Sequence, residues 1–114
     1  MTFRVTVLGS SSAMPTLKRN PSAHALNVHE QFFLIDCGEG TQTRLFRCGI
    51  SPLRLGAVFL THLHGDHVYG LFGLMSTLGL LGGRTPLKIF APRPFDRILA
   101  SHLSLFDSQL PYEV

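Results

Sequence analysis

Phe3, Val5 and Val7 alternate with Arg4 and Thr6, a period of two that predicts a strand ending at Leu8-Gly9. Ser10 opens a polar stretch that runs through Pro15, Lys18-Arg19-Asn20-Pro21 and Ser22. It is too long for a tight turn and is of the kind that carries function. Residues 23–28 and 32–35 read as two strands joined near His29-Glu30-Gln31, a hairpin. Asp36-Cys37-Gly38-Glu39-Gly40 ends the second of them, and residues 41–48 follow as a short helix with Gly49 placed as its C-terminal cap. Pro52 begins the next connection. Ala57-Val58-Phe59-Leu60 is apolar without interruption, which predicts a strand buried on both faces.

Further along, Leu71, Leu74, Met75, Leu78 and Leu81 recur at helical spacing, and Gly82-Gly83 stops the pattern. The other side of this helix carries Gly70, Gly73, Ser76 and Thr77, a small, flat side suited to close approach by another subunit. Residues 87–90 read as another buried strand, and Pro92 or Pro94 begins a last helix through about Phe106. Strands alternating with helices predict an α/β layered architecture. With no repeat and no linker, residues 1–114 make a single unit.

Composition changes this picture in one respect. Charged residues are 15% of the chain and hydrophobic ones 45%, against roughly a quarter charged in an ordinary soluble domain. Too few charges remain to coat a complete small globule, so part of the apolar surface is expected to be covered by something outside this chain. The net charge is +3, and eight of the ten basic residues are Arg, which permits a nucleic-acid partner without requiring one. The longest uncharged stretch, Val68 to Gly83, has 16 residues and five glycines. A membrane span needs about 20 apolar residues, so none is expected. Cys37 and Cys48 are too few for a disulfide framework and are expected to be small core residues. With no signal-peptide pattern at the start, the expected compartment is the reducing cytoplasm.

The candidate chemistry lies in Thr61-His62-Leu63-His64-Gly65-Asp66-His67. Four metal-ligand side chains occupy six positions. If the chain leaves the strand extended, His62 and His64 point to one side. Gly65 then lets the backbone turn, and Asp66 and His67 open the next helix aimed at a neighbouring point. One loop would thus offer two ligands to each of two metal ions. Imidazole and carboxylate suit Zn2+, with Fe or Mn as alternatives. Two such ions about 3.5–4 Å apart lower the pKa of a shared water and absorb charge on a phosphoryl or acyl oxygen. Asp66 would ligate, orient the attacking water and take its proton. Asp36, an acid after an apolar run, is expected to accept hydrogen bonds from a ligating His or from the loop backbone. Ser10, in the Gly9–Ser12 turn, and Arg19 are further candidates for phosphate contact. His24, His29 and His102 read as surface or packing residues.

These residues resemble the metallo-β-lactamase superfamily, whose His-x-His-x-Asp-His signature stands at positions 62 to 67. More narrowly the chain resembles the ribonuclease Z family. The likeness is carried by Leu8 to Thr16 with Arg19-Asn20-Pro21-Ser22, by Leu34-Ile35-Asp36-Cys37-Gly38-Glu39-Gly40-Thr41-Gln42, and by Thr61 to Leu74. Phe72 stands where the family usually has Pro. The resemblance implies the N-terminal half of an αββα sandwich, a mixed sheet with helices on one face, the second half being absent from the chain. It implies a zinc-dependent endoribonuclease that removes 3′ trailers from precursor tRNA by attack of a metal-activated hydroxide. His62 and His64 would bind the first Zn2+, and Asp66 and His67 the second. The family's remaining ligands and its tRNA-gripping arm lie in the second half, so these residues alone are expected to bind zinc weakly and to be inactive. A homodimer is the implied assembly. Two other readings fit the residues: a hydrolase of small phosphodiesters or sulfate esters on the same scaffold, and a non-enzymatic assembly module with a vestigial ligand loop.

Overall fold

The computed structural model describes residues 3–11, 20–83, 86–105 and 114, with Leu105 described by its backbone alone. The first alternating segment forms β1 (Phe3–Gly9), and the hairpin forms β2 (Ala23–Val28) and β3 (Gln31–Ile35). Both turn residues of the hairpin, His29 and Glu30, have left-handed backbones with φ of 51° and 66°. Two positive φ values in a two-residue loop give the turn a twist that matches its strands. Helix α1 (Thr41–Arg47) ends at Cys48, with Gly49 at φ 72° beyond it, as the cap reading expects. A short 3-10 turn at Pro52–Arg54 leads into β4 (Leu55–Phe59). Then come α2 (Gly65–Leu80), β5 (Lys88–Phe90) and α3 (Phe95–Leu105).

The strands make one five-stranded sheet in the order β1-β2-β3-β4-β5. β1, β2 and β3 pair antiparallel, whereas β3-β4 and β4-β5 pair parallel, so the sheet is mixed. Parallel pairing requires crossovers, and α1 and α2 supply them. Leu8, Ala23, Ala25, Leu34, Val58 and Leu60 point from one face of the sheet into a core completed by Leu45, Val68, Leu71, Leu74, Met75, Leu78 and Phe95 of the helices. The alternate residues face the other way. Phe3, Val5 and Val7 are 72%, 51% and 59% exposed, and Phe59 and Phe90 join them. Phe59 stacks on Phe90 with ring centres 4.9 Å apart and meets Phe33 edge-on at 6.2 Å. An apolar trough of about 610 Å³ runs over this ladder, with Arg54 and Lys88 along it.

Several expectations are corrected. β4 and β5 are not buried on both faces: Phe59, Lys88 and Phe90 are exposed, because no described helix covers their side of the sheet. Leu81 leaves the α2 pattern; it follows the last helical residue and is half exposed. The small side of α2 is half used within the chain. A Cβ on Gly70 would stand 2.0 Å from the Gly38 carbonyl oxygen, and the Thr77 hydroxyl bonds the Gln42 side chain on α1. Gly73 and Ser76 remain exposed. Cys37 is fully buried, but Cys48 is exposed at the end of α1. Phe106 lies outside the described residues.

Candidate metal centre

The site is built where β3 and β4 end and α2 begins. Asp36 leaves β3 with φ 62°, a left-handed conformation that Asp tolerates better than most residues. Its N–H still donates to the Phe59 carbonyl at 2.7 Å, prolonging the β3-β4 pairing by one residue. The turn places its carboxylate, which is 4% exposed, beneath the chain that emerges from β4. There it accepts the Thr61 N–H at 2.8 Å, and the Thr61 hydroxyl lies 2.8 and 3.0 Å from its two oxygens.

The next residue, Cys37, clamps the first turn of α2. Its N–H donates to the His67 carbonyl at 2.8 Å, and its carbonyl accepts the Gly70 N–H at 3.0 Å. That close approach is possible because residue 70 has no side chain. Burial pushes the Cys37 thiol up to about 12, assisted by the neighbouring Asp36 charge and opposed by a hydrogen bond with Thr41. A thiol held neutral in this way is a packing group and a poor metal ligand.

The four candidate ligands follow one another from the end of β4 into the first turn of α2. His64, the residue before α2, is extended, at φ −92° and ψ 148°. The ring centres of His62 and His64 are 5.7 Å apart. His62 lies closer to His67, stacked on it at 4.6 Å. His67 Nε2 is 3.4 Å from Asp66 Oδ2, and His67 Nδ1 is 2.8 Å from Asp36 Oδ2. The buried Nδ1–H does not point straight at that oxygen, so the contact is electrostatic more than a well-aligned hydrogen bond. The chain turns at Gly65, from the extended His64 into α2. Gly65 is the first residue of α2, and its missing Cβ leaves room for the Tyr69 ring.

Among the described residues no three His, Cys, Asp or Glu side chains are arranged to hold a metal ion by themselves. The cluster nonetheless fits a divalent cation in chemistry. Three imidazoles and a carboxylate are a zinc donor set; His62 Nδ1 lies 2.8 Å from the Thr61 hydroxyl, and the buried His67 Nδ1 has no hydrogen-bond partner among the described residues. Ser10 is exposed just beyond β1, Arg19 lies outside the described residues, and His24, His29 and His102 are away from the cluster sequence. His102 packs on Phe72 with ring centres 4.3 Å apart. Sequence reasoning missed Thr61. The signal was present, a hydroxyl between a buried strand and the first His, but a lone Thr at a strand end has many ordinary explanations.

This fold and site define the N-terminal half of a metallo-β-lactamase αββα sandwich. The chain is similar to the metallo-β-lactamase fold protein YhfI from Bacillus subtilis, at TM-score 0.73 and 26% identity, over 84% of this chain and 41% of that one. It matches the solved human tRNase Z, short form, more closely, at TM-score 0.89 and 36% identity over 96% of this chain and 42% of that one. The ribonuclease Z of Bacteroides thetaiotaomicron is 43% identical over 112 residues, 98% of this chain and 35% of that protein. The chain belongs to the family described as Anti-Pycsar protein Apyc1, whose profile matches residues 3–105. It spans about a third of the length of the curated relatives it matches.

Proposed function

We propose that these residues form the N-terminal part of a zinc-dependent endoribonuclease that removes 3′ trailers from precursor tRNA. The observation that carries the reading is the His62-His64-Asp66-His67 cluster at the end of β4, in a chain 43% identical to a ribonuclease Z. His62 and His64 would hold one Zn2+, and Asp66 and His67 the other. Bound in this way, the two ions supply Lewis acidity toward a phosphoryl oxygen and a water of lowered pKa.

The chain's own residues do the rest. The Asp66 carboxylate takes the proton of the attacking water at Oδ. Asp36 holds Thr61 and His67, and Cys37 fixes the turn from which Asp66 and His67 project. Two protein ligands per ion fall short of the three usual in a catalytic site, so residues 1–114 alone bind zinc weakly and cleave nothing at a useful rate. No helix among the described residues is long and apolar enough to cross a membrane. A cytoplasmic homodimer completes the reading. It rests on the family likeness; of the small side of α2, Gly70 and Thr77 pack within the chain while Gly73 and Ser76 are exposed.

The test is cleavage of a precursor tRNA by the full-length protein with Zn2+. Cutting at one position after the acceptor stem, lost in His64→Ala, is expected. Hydrolysis of bis-p-nitrophenyl phosphate without position-specific tRNA cleavage would overturn the substrate and favour a small-phosphodiester hydrolase. Full self-association with no hydrolysis at all would favour an assembly module.

A further inference from the structure

A carboxylate, a hydroxyl and an imidazole stand in series at the floor of the site, and the direction of their protons decides which nitrogen of His62 faces outward. Thr61 Oγ1 is 2.8 Å from Asp36 Oδ2 and 2.8 Å from His62 Nδ1. A hydroxyl has one proton, so it donates to one neighbour and accepts from the other. The Asp36 carboxylate has only lone pairs to offer, and a hydrogen bond to an ionised acceptor is roughly twice as strong as a neutral one. The Thr61 hydroxyl therefore donates to Asp36. It is left to accept from His62, which must then carry its proton on Nδ1 and a free lone pair on Nε2.

We propose that Thr61 is a positioning residue: relaying the Asp36 carboxylate, it holds His62 in the Nδ1-protonated tautomer and so presents Nε2 to a divalent cation. The proposal rests on the metal reading above and adds a residue to it. Thr61 suits the task because it grips Asp36 twice. Its N–H donates to Oδ1 at 2.8 Å while its hydroxyl reaches Oδ2. The carboxylate plane is thereby fixed, and the same Oδ2 faces His67 Nδ1 at 2.8 Å. One buried acid orients two stacked rings, His67 by contact and His62 through Thr61.

The test is 15N NMR of the His ring nitrogens in the metal-free full chain at about pH 8, where an ordinary imidazole is neutral. The wild type and Thr61→Ser are expected to carry the His62 proton on Nδ1. Thr61→Val keeps the shape without the hydroxyl and is expected to move the proton to Nε2, the form free imidazole prefers. Zn2+ affinity should fall by about 10–100-fold in Thr61→Val and recover in Thr61→Ser. A wild-type His62 protonated on Nε2 overturns the proposal without recourse to any variant. So does a Thr61→Val protein with unchanged tautomer, or with shifted tautomer and undiminished affinity. A tautomer shift in a protein that takes up no Zn2+ sustains the relay and refutes the metal reading, so the two failures are told apart.

Discussion

Leu34 and Phe33 are neighbours on β3, as Val58 and Phe59 are on β4, yet the members of each pair end in opposite surroundings. Leu34 and Val58 are fully buried under α1 and α2, whereas Phe59 is 38% exposed and stacks only on other rings of an open face. Both faces are apolar. One is covered by helices that follow β3, β4 and β5 in the chain; the other has no described element over it. Hydrophobicity thus marks a surface to be buried without saying what will bury it. An apolar face of this extent signals an interaction surface, and the low charge of the sequence is the same fact read from composition.

The largest expected effect lies on the covered face. Leu71 and Leu74 are fully buried between sheet and helix, so Leu71→Ala should cost about 2–5 kcal/mol in urea denaturation. The matching truncation on the open face, Val5→Ala, should cost under about 1 kcal/mol, because little area is removed from water there. Equal losses at the two positions would mean that the open face is buried by self-association.

The contrast explains which features were readable in the sequence. β1, the hairpin, α1 and α2 followed from period and caps, because each decides its own conformation or packs on a neighbour in the chain. The His62–His67 loop was readable because its spacing has no packing explanation. Burial of β4 on both faces was over-read. An uninterrupted apolar run such as Ala57–Leu60 reports the demand for cover, and one of its two covers is not among the described elements. Cys48 was misplaced because a small apolar residue at a helix end is decided by what lies opposite. The role of Thr61 depends on Asp36, 25 residues earlier in the chain, a pairing made only when β3 and β4 align.

Asp36 joins the covered core to the site and gives the next effect. Asp36→Ala leaves the Thr61 N–H without its acceptor in a left-handed turn that Ala tolerates poorly. A loss of about 1–3 kcal/mol is expected, together with weaker zinc binding. Asp36→Asn accepts the same backbone and should lose less stability while still weakening the hold on His67. A stability loss in Asp36→Asn as large as in Asp36→Ala would show that charge, not geometry, fixes the turn.

The two cysteines repeat the comparison at atomic scale. Cys48 should react with a thiol reagent in the native protein, and Cys37 only on unfolding. The Cys37 thiol is raised to about 12 in the fold, from an ordinary value of 9.0. Above that ordinary value the unfolded chain ionises the thiol while the folded chain does not. Its contribution to stability is therefore complete below about pH 9 and declines as pH rises toward 12. Cys37→Ala should flatten that alkaline decline, read from urea midpoints at successive pH values.

The smallest effect concerns the hairpin, whose strands serve both faces at once. His29 is exposed at φ 51°, where a side chain other than Asn, Asp or Gly is disfavoured. His29→Asn should stabilise the protein by about 0.5 kcal/mol, since Asn accepts the left-handed turn at lower cost. Because β2 sends Ala25 into the core and Leu26 toward the open face, a tighter turn supports both faces equally. The urea midpoint should rise with unchanged slope, and binding of a hydrophobic dye to the open face should stay constant. A fall in dye binding would mean that the open face gains order from the hairpin, and that its exposure is a property of the turn as well as of the missing cover.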